Sequence, residues 1–156
     1  MRLTDILTED RVRVVRHLDG IRTMPETIEV LASMLATGAG LSSDDVCKVL
    51  IDRESLQSTG IGDGVAVPHG SMDSLDTQTA AVLLCQDGID FHSIDDRLVQ
   101  IVVGVLGPRR ATGEHLRMLA RISRLLRDSA LRCSLLESVD GAAAYAVIRA
   151  REDGGF

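Results

Sequence analysis

Leu98-Val99-Gln100-Ile101-Val102-Val103-Gly104-Val105-Leu106 carries only one side chain that would prefer water. Ile101, Val102, Val103 and Val105 fall on both alternating faces, which suits a strand covered by protein on each side. Working toward the N-terminus, Thr79 to Cys85 reads as a second buried strand, Gly88 as a turn and Ile89-Asp90-Phe91 as an edge piece. The gap between the strands near residues 85 and 98 is of hairpin length, so the sheet is predicted to be mixed. Toward the C-terminus, Thr112 is the expected cap of a long helix with Leu116, Leu119, Ala120 and Leu126 along one side. Two further helices, about residues 130–137 and 142–149, follow.

The N-terminal half shows the same alternation. A short turn of helix near Thr4 to Leu7 leads into a strand, Val12 to Val15. Thr23 and Glu26 form a capping box, with Pro25 in the first turn where its missing N–H costs nothing. Ile28, Leu31 and Leu35 then repeat at helical spacing until Gly38 or Gly40. Ser42 or Ser43 caps a second helix carrying Val46, Val49 and Leu50. Ser58 to Gly64 reads as a glycine-rich loop, and Val65-Ala66-Val67 as a short strand. Strands alternating with helices imply an α/β domain of layers. With no repeat or linker in sight, residues 1–156 are expected to form one domain.

Composition narrows the function classes. The net charge of −6 offers no general footprint for nucleic acid. No apolar run reaches the roughly 20 residues of a membrane helix, and the first residues lack a signal-peptide core. Cys47, Cys85 and Cys133 are odd in number and widely spaced, as reduced thiols would be, the first two expected in the core. A cytoplasmic protein is expected. Arg117, Arg121, Arg124 and Arg127 recur at helical spacing and form one stripe, read either as a solvated face or as a surface for an acidic partner.

His69 has the most unusual setting of the four histidines. Pro68 cannot donate to a sheet ladder, and Gly70 lets the backbone turn away, so the ring is expected to project from a strand mouth. Gly60, Gly62 and Gly64 lie just upstream, in a loop that could offer successive N–H groups to an anion. The spacing is neither a dinucleotide fingerprint nor a P-loop. His115 falls in the first turn of its helix, where the dipole disfavours the imidazolium and leaves a neutral ring able to donate one N–H. His17 and His92 read as surface residues. No set of residues has metal spacing, and no G-x-S-x-G elbow is present.

The stretch from Leu50-Ile51-Asp52-Arg53-Glu54-Ser55 through Ser58-Thr59-Gly60-Ile61-Gly62-Asp63-Gly64 to Val67-Pro68-His69-Gly70 closely resembles the signature of IIA domains of the fructose/mannitol class in the phosphoenolpyruvate-dependent sugar phosphotransferase system. The likeness continues through Gly88 to Phe91 and from Gly107-Pro108 to His115-Leu116-Arg117-Met118-Leu119-Ala120. It implies a three-layer α/β/α sandwich, a central mixed sheet with helices on both faces. It also implies that His69 is phosphorylated on Nε2, with His115 as the second active-site histidine, Arg53 as a nearby cation and Thr59 as a loop residue close to the phosphate. Ser71 stands where many relatives have Lys or Arg, and Leu98 where relatives often have proline.

Such a carrier takes its phosphoryl group from an HPr-type phosphohistidine, needs no metal, nucleotide or other cofactor, and relies on in-line positioning and electrostatic support. The free single-domain form looks most like the nitrogen-regulatory branch, which controls partner proteins by binding according to phosphorylation state. Two alternatives remain: a sugar-permease component that passes phosphate to a IIB domain, and a binding module that no longer turns over phosphate.

Overall fold

In the computed structural model, which describes residues 1–155, six strands form one mixed sheet between two layers of helix. The strands are β1 (Val12–Val15), β2 (Gly60–Gly62), β3 (Val65–Ala66), β4 (His69–Met72), β5 (Thr79–Ile89) and β6 (Val99–Pro108). The helices are α1 (Met24–Ala36), α2 (Ser43–Leu56), α3 (Thr112–Leu125), α4 (Ser129–Leu136) and α5 (Gly141–Asp153). The apolar segment near residue 100 is the centre of the sheet. On one side β6 pairs antiparallel with β5, and on the other it pairs parallel with β3 and then β4. β1 closes one side, parallel to β5.

Alternation along β5 and β6 divides the core. Ala80, Val82, Leu84, Ile101, Val103 and Val105 face α3, α4 and α5. Ala81, Leu83, Cys85, Val102 and Leu106 face α1 and α2. Both faces are dry, which explains why neither strand shows a polar period. The expected α/β/α sandwich is what forms. Thr23 accepts from Glu26 N while Glu26 reaches back, so the capping box is present, and Ser42 accepts from Asp45 N at the start of α2.

Five local readings need correction. The glycine-rich loop is a β-hairpin: β2 and β3 pair antiparallel about Asp63 and Gly64, whose φ values of 58° and 77° suit a two-residue turn. Gly88 does not end its strand, because β5 runs on through it to Ile89 with an irregular register. Gly70 does not turn the chain away either. It lies inside β4, where any Cβ would overlap the Val49 side chain of α2, so its role is close packing of helix on strand. Thr112 is the first residue of α3 and not its cap; the flanking Ala111 has no capping side chain, and Thr112 Oγ1 donates to Arg109 O at 3.2 Å. The arginine stripe is broken, since Arg121 turns inward to Glu152 at 2.9 Å while Arg117, Arg124 and Arg127 stay exposed.

Smaller differences concern single side chains. Cys85 is buried, Cys47 only half-buried and Cys133 exposed, and all three are free. His92 is exposed as expected, whereas His17 is half-buried with Nε2 2.8 Å from Gly88 O. No helix among the described residues is long and apolar enough to cross a membrane.

Candidate active site

His69 opens β4 directly after Pro68, and its ring lies on the face of the sheet that α3 covers. Its Nδ1 is 2.7 Å from Val67 O. A carbonyl can only accept, so Nδ1 carries the proton and Nε2 keeps the free lone pair. Burial pushes the His69 pKa below its ordinary value. The Val67 hydrogen bond and the Glu54 charge pull it upward and Arg53 pushes it down; the net direction is down. At neutral pH the ring is therefore uncharged, with Nε2 available as a nucleophile.

The ring stands in a cleft of about 210 Å³ lined by Arg53, Ser58, Thr59, Ile61, Leu119 and Ser123, among others. Arg53 comes from the last turn of α2 and donates from Nη1 to Gln57 O at 3.0 Å, which holds its guanidinium by the opening. His115 approaches from α3. The two imidazole centroids are 5.7 Å apart and the planes tilt by 51°. Burial, then the neighbouring His69, lowers the His115 pKa as well. His115 can pack this low because Gly107 lies beneath it, where an added Cβ would stand 2.8 Å from His115 Nδ1.

Not every expected site residue gathers here. His69, His115, Arg53 and Thr59 do. Thr59 is committed, however: its N–H and hydroxyl both donate to the buried Glu54 carboxylate, at 2.8 and 2.6 Å. Gly60 N donates to Ser58 Oγ at 3.0 Å. Gly62 borders an adjacent groove and Gly64 another, beyond the residues that line the His69 cleft. Of the three glycines expected to offer N–H groups to an anion, Gly60 has its N–H bonded locally, and Gly62 and Gly64 lie in the hairpin beside the cleft. Among the described residues no group of three His, Cys, Asp or Glu could hold a metal ion.

Residues 6–150 match the family described as the phosphoenolpyruvate-dependent sugar phosphotransferase system, EIIA 2. The chain belongs to that family. It is therefore a phosphotransferase-system component built on the EIIA 2 fold. A "Nitrogen regulatory protein" of Bradyrhizobium diazoefficiens is 33% identical over 148 residues, 95% of this chain and 95% of the relative. A "PTS system fructose-specific EIIA component" of Haloferax volcanii is 31% identical, covering 88% of this chain and 90% of the relative. Among solved structures, the nitrogen regulatory protein IIA-Ntr of Neisseria meningitidis superposes with a TM-score of 0.84 at 28% identity, over 92% of this chain and 97% of that one.

Three contributors to this site escaped the sequence reading. Glu54 was legible only as the neighbour of Arg53, yet it anchors the strand-side wall of the cleft. Leu119 and Ser123 follow His115 at steps of four on α3, a helical periodicity that would have placed them on the same face. Glu54→Ala is expected to strand both Thr59 donors, at about 1–3 kcal/mol each. Urea unfolding should show the loss as a lower midpoint with an unchanged slope.

Proposed function

We propose that this chain is a cytoplasmic phosphocarrier, one EIIA type-2 domain over residues 1–156, that accepts a phosphoryl group on His69 Nε2. The donor is an HPr-type phosphohistidine protein, and the phosphorylation state of His69 governs which regulated partners bind. The observation that carries this reading is the Nδ1 bond to Val67 O, which leaves Nε2 unprotonated in a cleft with Arg53 at its mouth.

The transfer balances without a cofactor. The Nε2 lone pair attacks phosphorus as the bond to the donor nitrogen breaks, and the donor ring leaves with that electron pair. The His69 ring becomes cationic with its Nδ1–H still bonded to Val67 O, while the phosphoryl oxygens carry the negative charge. Arg53 supplies the opposing cation, and His115 is positioned to donate to an oxygen. The near-complete coverage of the nitrogen regulatory relative supports the regulatory role. The likeness to a fructose-specific component supports the second reading, transfer onward to a IIB domain.

The test is intact-protein mass after incubation with phosphoenolpyruvate, Enzyme I and an HPr-type carrier, followed by addition of a fructose-type IIB domain. One acid-labile phosphoryl group per chain is expected, retained when IIB is added. Rapid loss to IIB would favour the permease role. No phosphate at all on folded protein would leave a phosphate-independent binding module. The pH profile follows from the lowered His69 pKa. The acceptance rate should be level from pH 8 down to the ordinary histidine value of 6.5 and fall only below it, as Nε2 becomes protonated.

A further inference from the structure

Sheet register places a third side chain against the histidine pair. His69 lies beside Val105 and Ser71 beside Gly107 on one flank of β6. On the other flank Ala80 lies beside Val105 and Thr79 beside Leu106, so Gln78 comes next to Gly107. Gly107 and Gln78 therefore share the face that α3 covers. A Cβ on Gly107 would meet His115 Nδ1 at 2.8 Å and Gln78 Cγ at 3.4 Å. His115 thus sits over Gly107 with His69 on one side and Gln78 on the other.

Gln78 and His115 are only 6% and 8% exposed. Gln78 Oε1 and His115 Nδ1 are both fully buried without a hydrogen-bond partner among the described residues. The Gln78 carboxamide is oriented by its nitrogen, which donates to Glu114 O at 3.4 Å. Two unpaired buried polar atoms on side chains that both lie over Gly107 call for a reason. While His115 is neutral with its proton on Nε2, both atoms are acceptors and cannot bond. Once the ring is an imidazolium, Nδ1–H is a donor, and Gln78 Oε1 is a vacant buried acceptor on the neighbouring side chain. A phosphoryl dianion on His69 is the event that favours this charge.

We propose that Gln78 is a positioning residue that accepts the Nδ1–H of His115 when His69 is phosphorylated, directing the Nε2–H of His115 at the phosphoryl oxygens. This rests on the reading of His69 as the phosphoryl acceptor. Phosphorylation is then accompanied by uptake of one solvent proton on His115, and no bond to phosphorus changes at Gln78. The charges that bear on the ring are few. His69 acts on it from β4, Arg53 on α2 acts on His69 in turn, and Glu114 and Arg117 flank it on α3, both exposed.

Nitrogen-15 NMR of the histidine-labelled full chain tests this in wild type, Gln78→Leu and Gln78→Glu. In the phosphorylated wild type both His115 nitrogens should be protonated at neutral pH. Gln78→Leu should lose the Nδ1 proton and reach a phosphorylated fraction with roughly tenfold smaller equilibrium constant, the effect of one charge-assisted bond. Gln78→Glu, which keeps an acceptor oxygen at the same reach, should restore the Nδ1 proton. Unchanged His115 shifts in phosphorylated Gln78→Leu overturn the proposal. If the wild type takes no phosphate, the function proposed above fails separately, and acid titration of the unphosphorylated proteins reads the pair. A lower His115 midpoint in Gln78→Leu than in wild type supports it, and equal midpoints overturn it.

Discussion

His69→Gln should take up no phosphoryl group under conditions that load the wild-type chain completely. Glutamine keeps the size and a hydrogen-bonding head, so Val67 O and the cleft walls need not move. What disappears is the nucleophile: an amide nitrogen has its lone pair delocalised into the carbonyl and cannot attack phosphorus. His115 is not expected to take over, because its ring is buried against Gly107 and is not among the residues that line the open cleft around His69. Intact mass after incubation with the phosphoenolpyruvate relay reads the result directly. A phosphate on the variant would move the acceptor to another residue and overturn the assignment of His69. Thermal unfolding of the same sample, expected to lie close to wild type, separates loss of chemistry from loss of fold.

Glu152→Ala should be the most damaging single change to the fold away from the cleft. Glu152 is 1% exposed in the last turn of α5. Its carboxylate accepts from Leu3 N at 2.9 Å, from Thr4 N and Thr4 Oγ1 at 3.0 Å each, and from Arg121 Nε at 2.9 Å. Three separate pieces of chain, the N-terminal turn, α3 and α5, meet on one charge. Removing it strands the buried Leu3 and Thr4 N–H donors, at about 1–3 kcal/mol each, and takes away the carboxylate that ties α3 to α5, a loss of about 3–5 kcal/mol in all. For a chain of this size that lowers Tm by roughly 10 °C. Burial alone would raise the Glu152 pKa, but the bonds from Thr4, Leu3 and Arg121 outweigh it and the net direction is down. A depressed folded-state pKa stabilises above the ordinary value of 4.5 and ceases to do so as pH falls through the lower folded value. The gap between wild type and Glu152→Ala in urea should therefore be full at pH 7 and shrink below pH 4.5. A constant gap down to pH 3 would show that lost packing, not the charge, is responsible.

Much of the architecture is local in origin. The β-branched run in β6, the Thr23–Glu26 box and the spaced apolar residues of α1 each act over a few residues, so local pattern alone determined an α/β domain of layers, the central strand and helix starts at Thr23 and at Ser42 or Ser43, while the helices on both faces were what the resemblance implied. The Pro68-His69-Gly70 setting likewise singled out the histidine proposed above as the phosphoryl acceptor. Errors came where glycine was read as a breaker. Gly70 is there because Val49 approaches the strand closely, and Gly88 lets β5 continue through a positive φ. A glycine's sequence neighbours do not reveal what packs on it from a distant helix.

The sequence by itself thus determined an α/β domain of layers and singled out His69, and its resemblance to the family added Arg53 and the second histidine, His115. Only the tertiary structure decided how they are placed against one another. Sheet register set His69, Gly107 and Gln78 on one face, and α3 carried His115 onto it. Glu54 took up the donors of Thr59, and Val67 O selected the nitrogen that stays bare. The first two depend on segments far apart in the chain, and the last two, though close in sequence, on how the folded backbone presents its polar atoms. Local propensity acts through bonds within a few residues, whereas tautomer, pKa and hydrogen-bond partners are set by whatever the closed fold brings within about 3 Å.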